Sequence, residues 1–177
     1  MLTKRSLDLR QVRAAFLGFA LVLLVVSPSP VFALDAPKGD VILTLNGKIS
    51  ETNGDGVARF DREMLKAIGL KSLTTTNPFE TGVQQFEGVL LSDVLKMVGA
   101  DGTRLIATAL DGYAIEIPIE DPMTYPVLIA MVWNGQEMKV RNKGPLWIVY
   151  PVDQYDDLSA EQYSARSIWQ LRRIEVE

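Results

Sequence analysis

The chain has 177 residues, a formal net charge of −4, and neither cysteine nor histidine. Without Cys there is no thiolate nucleophile, redox centre or soft-metal ligand, and without His no imidazole base or ligand for zinc, copper or haem. The acidic balance argues against nucleic acid or an anionic membrane surface as a partner. Chemistry is left to carboxylates, Lys, Arg, Tyr, Ser and Thr, or to a bound cofactor.

Residues 1–33 read as an export signal. Lys4, Arg5, Arg10 and Arg13 make a basic start, and Ala14 to Val26 is an uncharged apolar run of 13 residues. A Ser-Pro-Ser-Pro break follows, and Val31-Phe32-Ala33 places small residues for a cut after Ala33. The apolar run is shorter than the roughly 20 residues of a spanning helix, so cleavage is expected, with a retained signal anchor as the alternative. The expected mature domain, residues 34–177, has 144 residues and a net charge of about −7. It has no transmembrane span, is periplasmic or otherwise exported, and is long enough for one core without disulfides.

Leu34 to Asp40 is a polar leader in which Pro37 and Gly39 resist regular structure. Val41 to Leu45 reads as a strand, with Asn46-Gly47 as a hairpin turn into Lys48-Ile49. After a loop at Glu51 to Gly56, Asp61 caps a helix. Phe60 staples onto Leu65, Gly69 ends the helix, and Met64, Leu65 and Ile68 form its buried stripe. Thr74 to Leu90 is extended at both ends around a loop at Asn77-Pro78. A second helix starts at Ser92 as cap, buries Leu91, Val94, Leu95 and Val98, and ends at Gly99.

The remainder reads as strands. Arg104 to Leu110 and Tyr113 to Ile119 flank Asp111-Gly112 as a type I′ turn, with Glu116 and Glu120 on the outer face. Val127 to Trp133 is apolar enough to be covered on both faces. It turns at Asn134-Gly135 into Gln136 to Val140, and Leu146 to Tyr150 and Ile168 to Val176 follow. The pattern predicts a compact, strand-rich α+β domain with two short helices.

Isolated chemical signals are weak. Glu51-x-Asn53-x-Asp55-Gly56 departs from a calcium loop at its first and twelfth positions and reads as an ordinary turn. Glu116 and Glu120 would lie roughly 13 Å apart on a strand, too far for a paired-carboxylate hydrolase. Asp153, Asp156, Asp157 and Glu161 fit helix capping better than a cation site. Lys139, Arg141 and Lys143 beside Gly144-Pro145 suit either an anion or a solvated hairpin end. Trp133, Trp147 and Trp169 read as core.

Taken in order, several segments resemble the oxidoreductase molybdopterin-binding domain of the sulfite oxidase family. They are Phe86 to Leu95 (FEGVLLSDVL), Leu110 to Tyr113 (LDGY), Ala130 to Glu137 (AMVWNGQE), Gly144-Pro145-Leu146 before a strand ending in Pro151, and Trp169 to Val176. The resemblance runs from about Leu43 to Val176 and implies a mixed fold with a largely β core. It also implies a cofactor site between two loops. In the family, a cysteine in the loop before the Gly-Val-Pro-Leu-like segment binds molybdenum; here that stretch is Thr74-Thr75-Thr76-Asn77-Pro78-Phe79. The family's Arg-His-Gly-Gly-Pro-Leu-Arg loop is here Arg141-Asn142-Lys143-Gly144-Pro145-Leu146-Trp147.

Thr76, Asn77, Arg141, Asn142 and Lys143 are therefore the candidate anion or pterin pocket, with no catalytic residue and no metal ligand assigned. Lys4-Arg5-Ser6-Leu7 is a weak version of the twin-arginine motif behind which the family's loaded enzymes are exported. The expectation is an exported domain without molybdenum catalysis and without a bound cofactor. It would serve as a module for a small anionic ligand or a membrane-associated protein partner. The alternatives are a molybdopterin-dependent oxidoreductase with a non-cysteine metal site and a purely structural subunit.

Overall fold

The computed structural model describes residues 34–159 and 161–177, so the expected export signal lies outside the described residues. The strands are β1 (Leu43–Gly47), β2 (Ala58–Phe60), β3 (Lys71–Asn77), β4 (Glu80–Leu90), β5 (Arg104–Ala109), β6 (Ala114–Pro118), β7 (Leu128–Trp133), β8 (Gln136–Glu137), β9 (Trp147–Val149) and β10 (Leu171–Val176). Short helices α1 (Arg62–Ile68), α2 (Leu91–Met97), α3 (Glu120–Thr124) and α4 (Glu161–Arg166) lie between them. The strand-rich α+β class is as expected, with α3 and α4 added to the two expected helices.

One sheet has the order β2-β1-β10-β5-β6, with β1 and β10 parallel and the other pairs antiparallel. The other runs β3-β4-β7-β8, and β9 also pairs with β7. Leu43, Leu45, Phe60, Leu105, Ala107, Ile117 and Ile174 from the first sheet share one core with Val89, Ile129, Met131 and Ile148 from the second. Leu128 and Ala130 alternate with Ile129 on β7 and enter a smaller cluster with Leu73, Phe86, Met138 and Trp147. Strand β7 is therefore covered on both faces, as its apolar run implied. In β10 a register shift between Leu171 and Arg173 changes the alternation, so Leu171, Ile174 and Val176 are all buried.

Helix α1 follows its sequence grammar. The Asp61 carboxylate accepts from Met64 N at 2.8 Å and from the Lys38 and Gly39 amides at 2.7 and 2.8 Å, so the cap also anchors the leader. These bonds, that from Met64 foremost, hold the Asp61 carboxyl below its ordinary value of 3.8. Its stabilising contribution is complete above pH 3.8 and is lost as pH falls through the lower folded value. Asp61→Asn is expected to lower the thermal midpoint by a few degrees at neutral pH. It should also flatten the fall of the midpoint in acid, as measured by melts across that range.

Four local expectations are corrected. Asn46-Gly47 makes no hairpin: both residues extend β1, paired with Glu175 and Val176, and β1 meets β2 only after the 51–56 loop. At φ +89°, a Cβ on Gly47 would strike the Val176 carbonyl, so glycine here admits a parallel neighbour. Ser92 does not cap α2; the cap position is Leu90, with no side-chain bond, and the Leu91 amide donates to Val127 O at 2.9 Å instead. The Asp111-Gly112 turn has only Gly112 at positive φ, and Ala109 N donates to Tyr113 O, as in a longer loop with a glycine bulge. Glu120 opens α3 rather than extending β6, and that turn buries Asp121.

Candidate functional site

The two loops singled out by the sequence meet. The β3–β4 turn carries Thr76, Asn77 and Phe79, and a 3-10 turn at Val140–Asn142 leads into Lys143. Lys143 adopts a left-handed φ of 64°, and Gln170, at φ 51°, donates its amide to Lys143 O and its Nε2 to Val140 O. The Lys143 ammonium pairs with Glu80 and lies 5.4 Å from the ring centroids of both Trp133 and Trp147. Phe79 stands edge-on to Trp169 at 4.7 Å and tilted toward Trp147 at 6.1 Å. The loops are thus joined by an ion pair and an aromatic cluster.

The candidate residues divide by what already holds them. Thr76 donates its amide and hydroxyl to Asp153 at 2.7 and 2.5 Å, which ties the hairpin to the 151–155 turn. Asn77 Oδ1 accepts from the Phe79 amide, while its Nδ2 is buried without a partner among the described residues. Asn142 Oδ1 accepts from the Lys139 amide and closes its own turn. Arg141 is exposed on that turn. Lys143 contacts the first loop; Arg141 and Asn142 stay on the second.

Beside this junction lies a cavity of about 340 Å³. Phe79, Ala109, Asp111, Tyr113, Ile168 and Trp169 contribute to its wall, with Ser164, Ala165 and Ser167 completing it. Trp169 is 38% exposed and Tyr113 52%, so the sequence reading of Trp169 as core is corrected: Trp147 is the core tryptophan, at 0%. The Ser167 hydroxyl is spent on Tyr163 O, and Asp111 Oδ1 accepts from the Tyr113 amide. Among the described residues, Asp111 is the one charged side chain in the lining. Neither Tyr113 nor Trp169 stood out as a site residue in the sequence; the Asp-Gly turn that lifts Tyr113 outward was the available signal.

A buried polar group stands apart from the cavity. Asp121, 6% exposed, accepts from the Tyr150 hydroxyl at 2.8 Å and from Arg166 at 2.9 Å. Burial, then the charge and hydrogen bond of Asp121, push the Tyr150 phenol well above its ordinary value. Tyr125 is also raised, first by its hydrogen bond to Asp157. Both groups are structural ties within the fold.

The donor set does not suit a molybdenum centre. The chain has no thiolate or imidazole, and among the described residues no three Asp or Glu side chains gather to hold a metal. The free edge of Asn77 is an amide nitrogen, a hydrogen-bond donor rather than a ligand. Among the described residues the cavity lining offers a phosphate-bearing pterin a carboxylate and no cation, and Lys143 is already paired.

Comparison with known proteins gives the family. No curated protein matches the sequence. Among solved structures the fold is similar to the sulfane dehydrogenase SoxCD from Paracoccus pantotrophus, at 20% identity and a TM-score of 0.59. The likeness covers 81% of this chain but only 40% of that one, and at this identity it is a likeness of fold. The family model for the oxidoreductase molybdopterin binding domain matches residues 61–177. The chain belongs to that family.

Proposed function

We propose that the protein is an exported member of the molybdopterin-binding family that does not carry out molybdenum redox chemistry. It acts instead as a ligand-binding or interaction module for a membrane-associated protein. The reading rests on one observation above all: Lys143 is committed to Glu80 and lies 5.4 Å from the ring centroids of both Trp133 and Trp147. A cation neutralised in this way has little left for an incoming phosphate. The absent thiolate and imidazole support the same conclusion.

The test is molybdenum and pterin content of the protein purified from the exported fraction of its own host, with its N-terminus sequenced on the same sample. The expected result is neither metal nor pterin, in a chain beginning at Leu34. Near-stoichiometric metal and pterin would overturn the reading and leave an oxidoreductase with an oxygen or pterin-only metal site. A chain retained in the cytoplasm would overturn its export.

A further inference from the structure

The cavity beside the loop junction has a composition that selects a class of ligand. Phe79, Trp169 and Tyr113 supply aromatic walls, Ala109 and Ile168 add apolar surface, and Asp111 supplies the only formal charge among the described residues. Its volume, about 340 Å³, falls within the roughly 300–1,000 Å³ of small-molecule sites. Tyr113 and Trp169, which line it, are exposed large apolar side chains, and the Leu110 amide donates to Gln170 O at 2.9 Å, tying their two segments together.

Electrostatics decides the sign. An indole or phenol face attracts a cation, most strongly where water is excluded, and a carboxylate adds to that attraction. Two basic groups on neighbouring segments are already paired. Lys143 is held by Glu80, and Arg166, on the helix that supplies Ser164 and Ala165, is turned to Asp121 and stacked over Tyr163 at 5.2 Å. Asp111 spends one oxygen on the Tyr113 amide, and its exposed position leaves the other accessible.

From this we infer that the cavity is a binding site for a small organic cation with a flat, apolar body, such as an aryl-substituted quaternary ammonium. The inference deepens the ligand-binding reading above and rests on it. It also replaces the anionic ligand expected from the basic 139–143 run with a cationic one at a neighbouring site.

The experiment is calorimetric titration of the mature domain with benzyltrimethylammonium, with benzyl alcohol as neutral match and benzenesulfonate as anionic match. Tryptophan emission is followed in parallel, since Trp169 is the most exposed of the three tryptophans. Saturable binding of the cation, at least about threefold tighter than the neutral probe, is expected. Asp111→Asn should reduce that preference by about threefold, and Trp169→Ala should weaken binding by about tenfold. Ala165→Phe, at an exposed helical position lining the cavity, should block it while circular dichroism and the thermal midpoint stay unchanged.

No saturable binding, equal affinity for cation and neutral probe, or preference for the sulfonate would each overturn the inference. Metal and pterin content on the same protein is a separate readout. Failure of the cation site in a molybdenum-free sample therefore sinks this inference alone, whereas a loaded sample sinks the reading beneath it.

Discussion

Trp147→Ala is expected to destabilise the domain by about 3–5 kcal/mol, measured by urea unfolding. The indole is fully buried and makes edge contacts with Phe86 at 5.4 Å, Trp133 at 5.8 Å and Trp169 at 6.4 Å, besides its tilted contact with Phe79. Its Nε1 donates to Ser167 O at 3.1 Å. Deletion would open a void on the outer face of the β4–β7–β9 sheet and leave a carbonyl unpaired. It would also remove one of the two rings beneath the Lys143 ammonium. Trp147→Phe keeps an aromatic body and loses the donor, so its cost should fall to about 1–2 kcal/mol. Equal costs for the two variants would mean that the hydrogen bond, not packing, is what Trp147 provides.

Asp121→Ala should cost about 3 kcal/mol, because it leaves the Arg166 guanidinium and the Tyr150 hydroxyl facing a site with no acceptor. Asp121→Asn retains an oxygen for one of the two donors and should recover part of the loss. The same group gives an alkaline signature. Tyr150 has its phenol pKa raised above the ordinary 10.0, so the stability it lends is full below pH 10.0 and declines as pH rises beyond it toward the folded value. In Tyr150→Phe this decline should shrink when melts are taken above pH 10. An unchanged alkaline limb would assign that sensitivity to other tyrosines.

Periodicity was most legible where a single helix or strand satisfies itself. Asp61, Leu65 and Gly69 announced α1 because a cap, a stripe and a stop are all local. The apolar run of β7 announced burial on both faces for the same reason. Errors gathered where a distant strand decided the outcome. Asn46-Gly47 has the composition of a hairpin, yet its backbone groups pair with β10, which is remote in sequence. The burial of Asp121 was not legible because nothing near it in sequence reveals Tyr150 or Arg166.

The site was legible in part. Both loops could be named from the family resemblance, and the structure brings them together through Lys143 and Glu80. The aromatic cavity could not be named in advance, since its walls come from the β3–β4 turn, the β5–β6 turn and the approach to β10. A Trp in a largely apolar sequence reads as core until its neighbours are known. Trp147 and Trp169 each follow an apolar residue and have different fates, 0% and 38% exposed.

The parallel pairing of β1 with β10 sets the order in which the molecule can be assembled. β10 lies between β1 and β5, so the first sheet has no middle until the strand that comes last in sequence is in place. The second sheet draws all its strands from a single stretch, 71–149, so its paired strands are closer in sequence than β1 and β10. Its closing entropy is correspondingly smaller. Strands β1 and β5 are therefore joined only through β10, and the core that both sheets share is closed only when that strand is added between them.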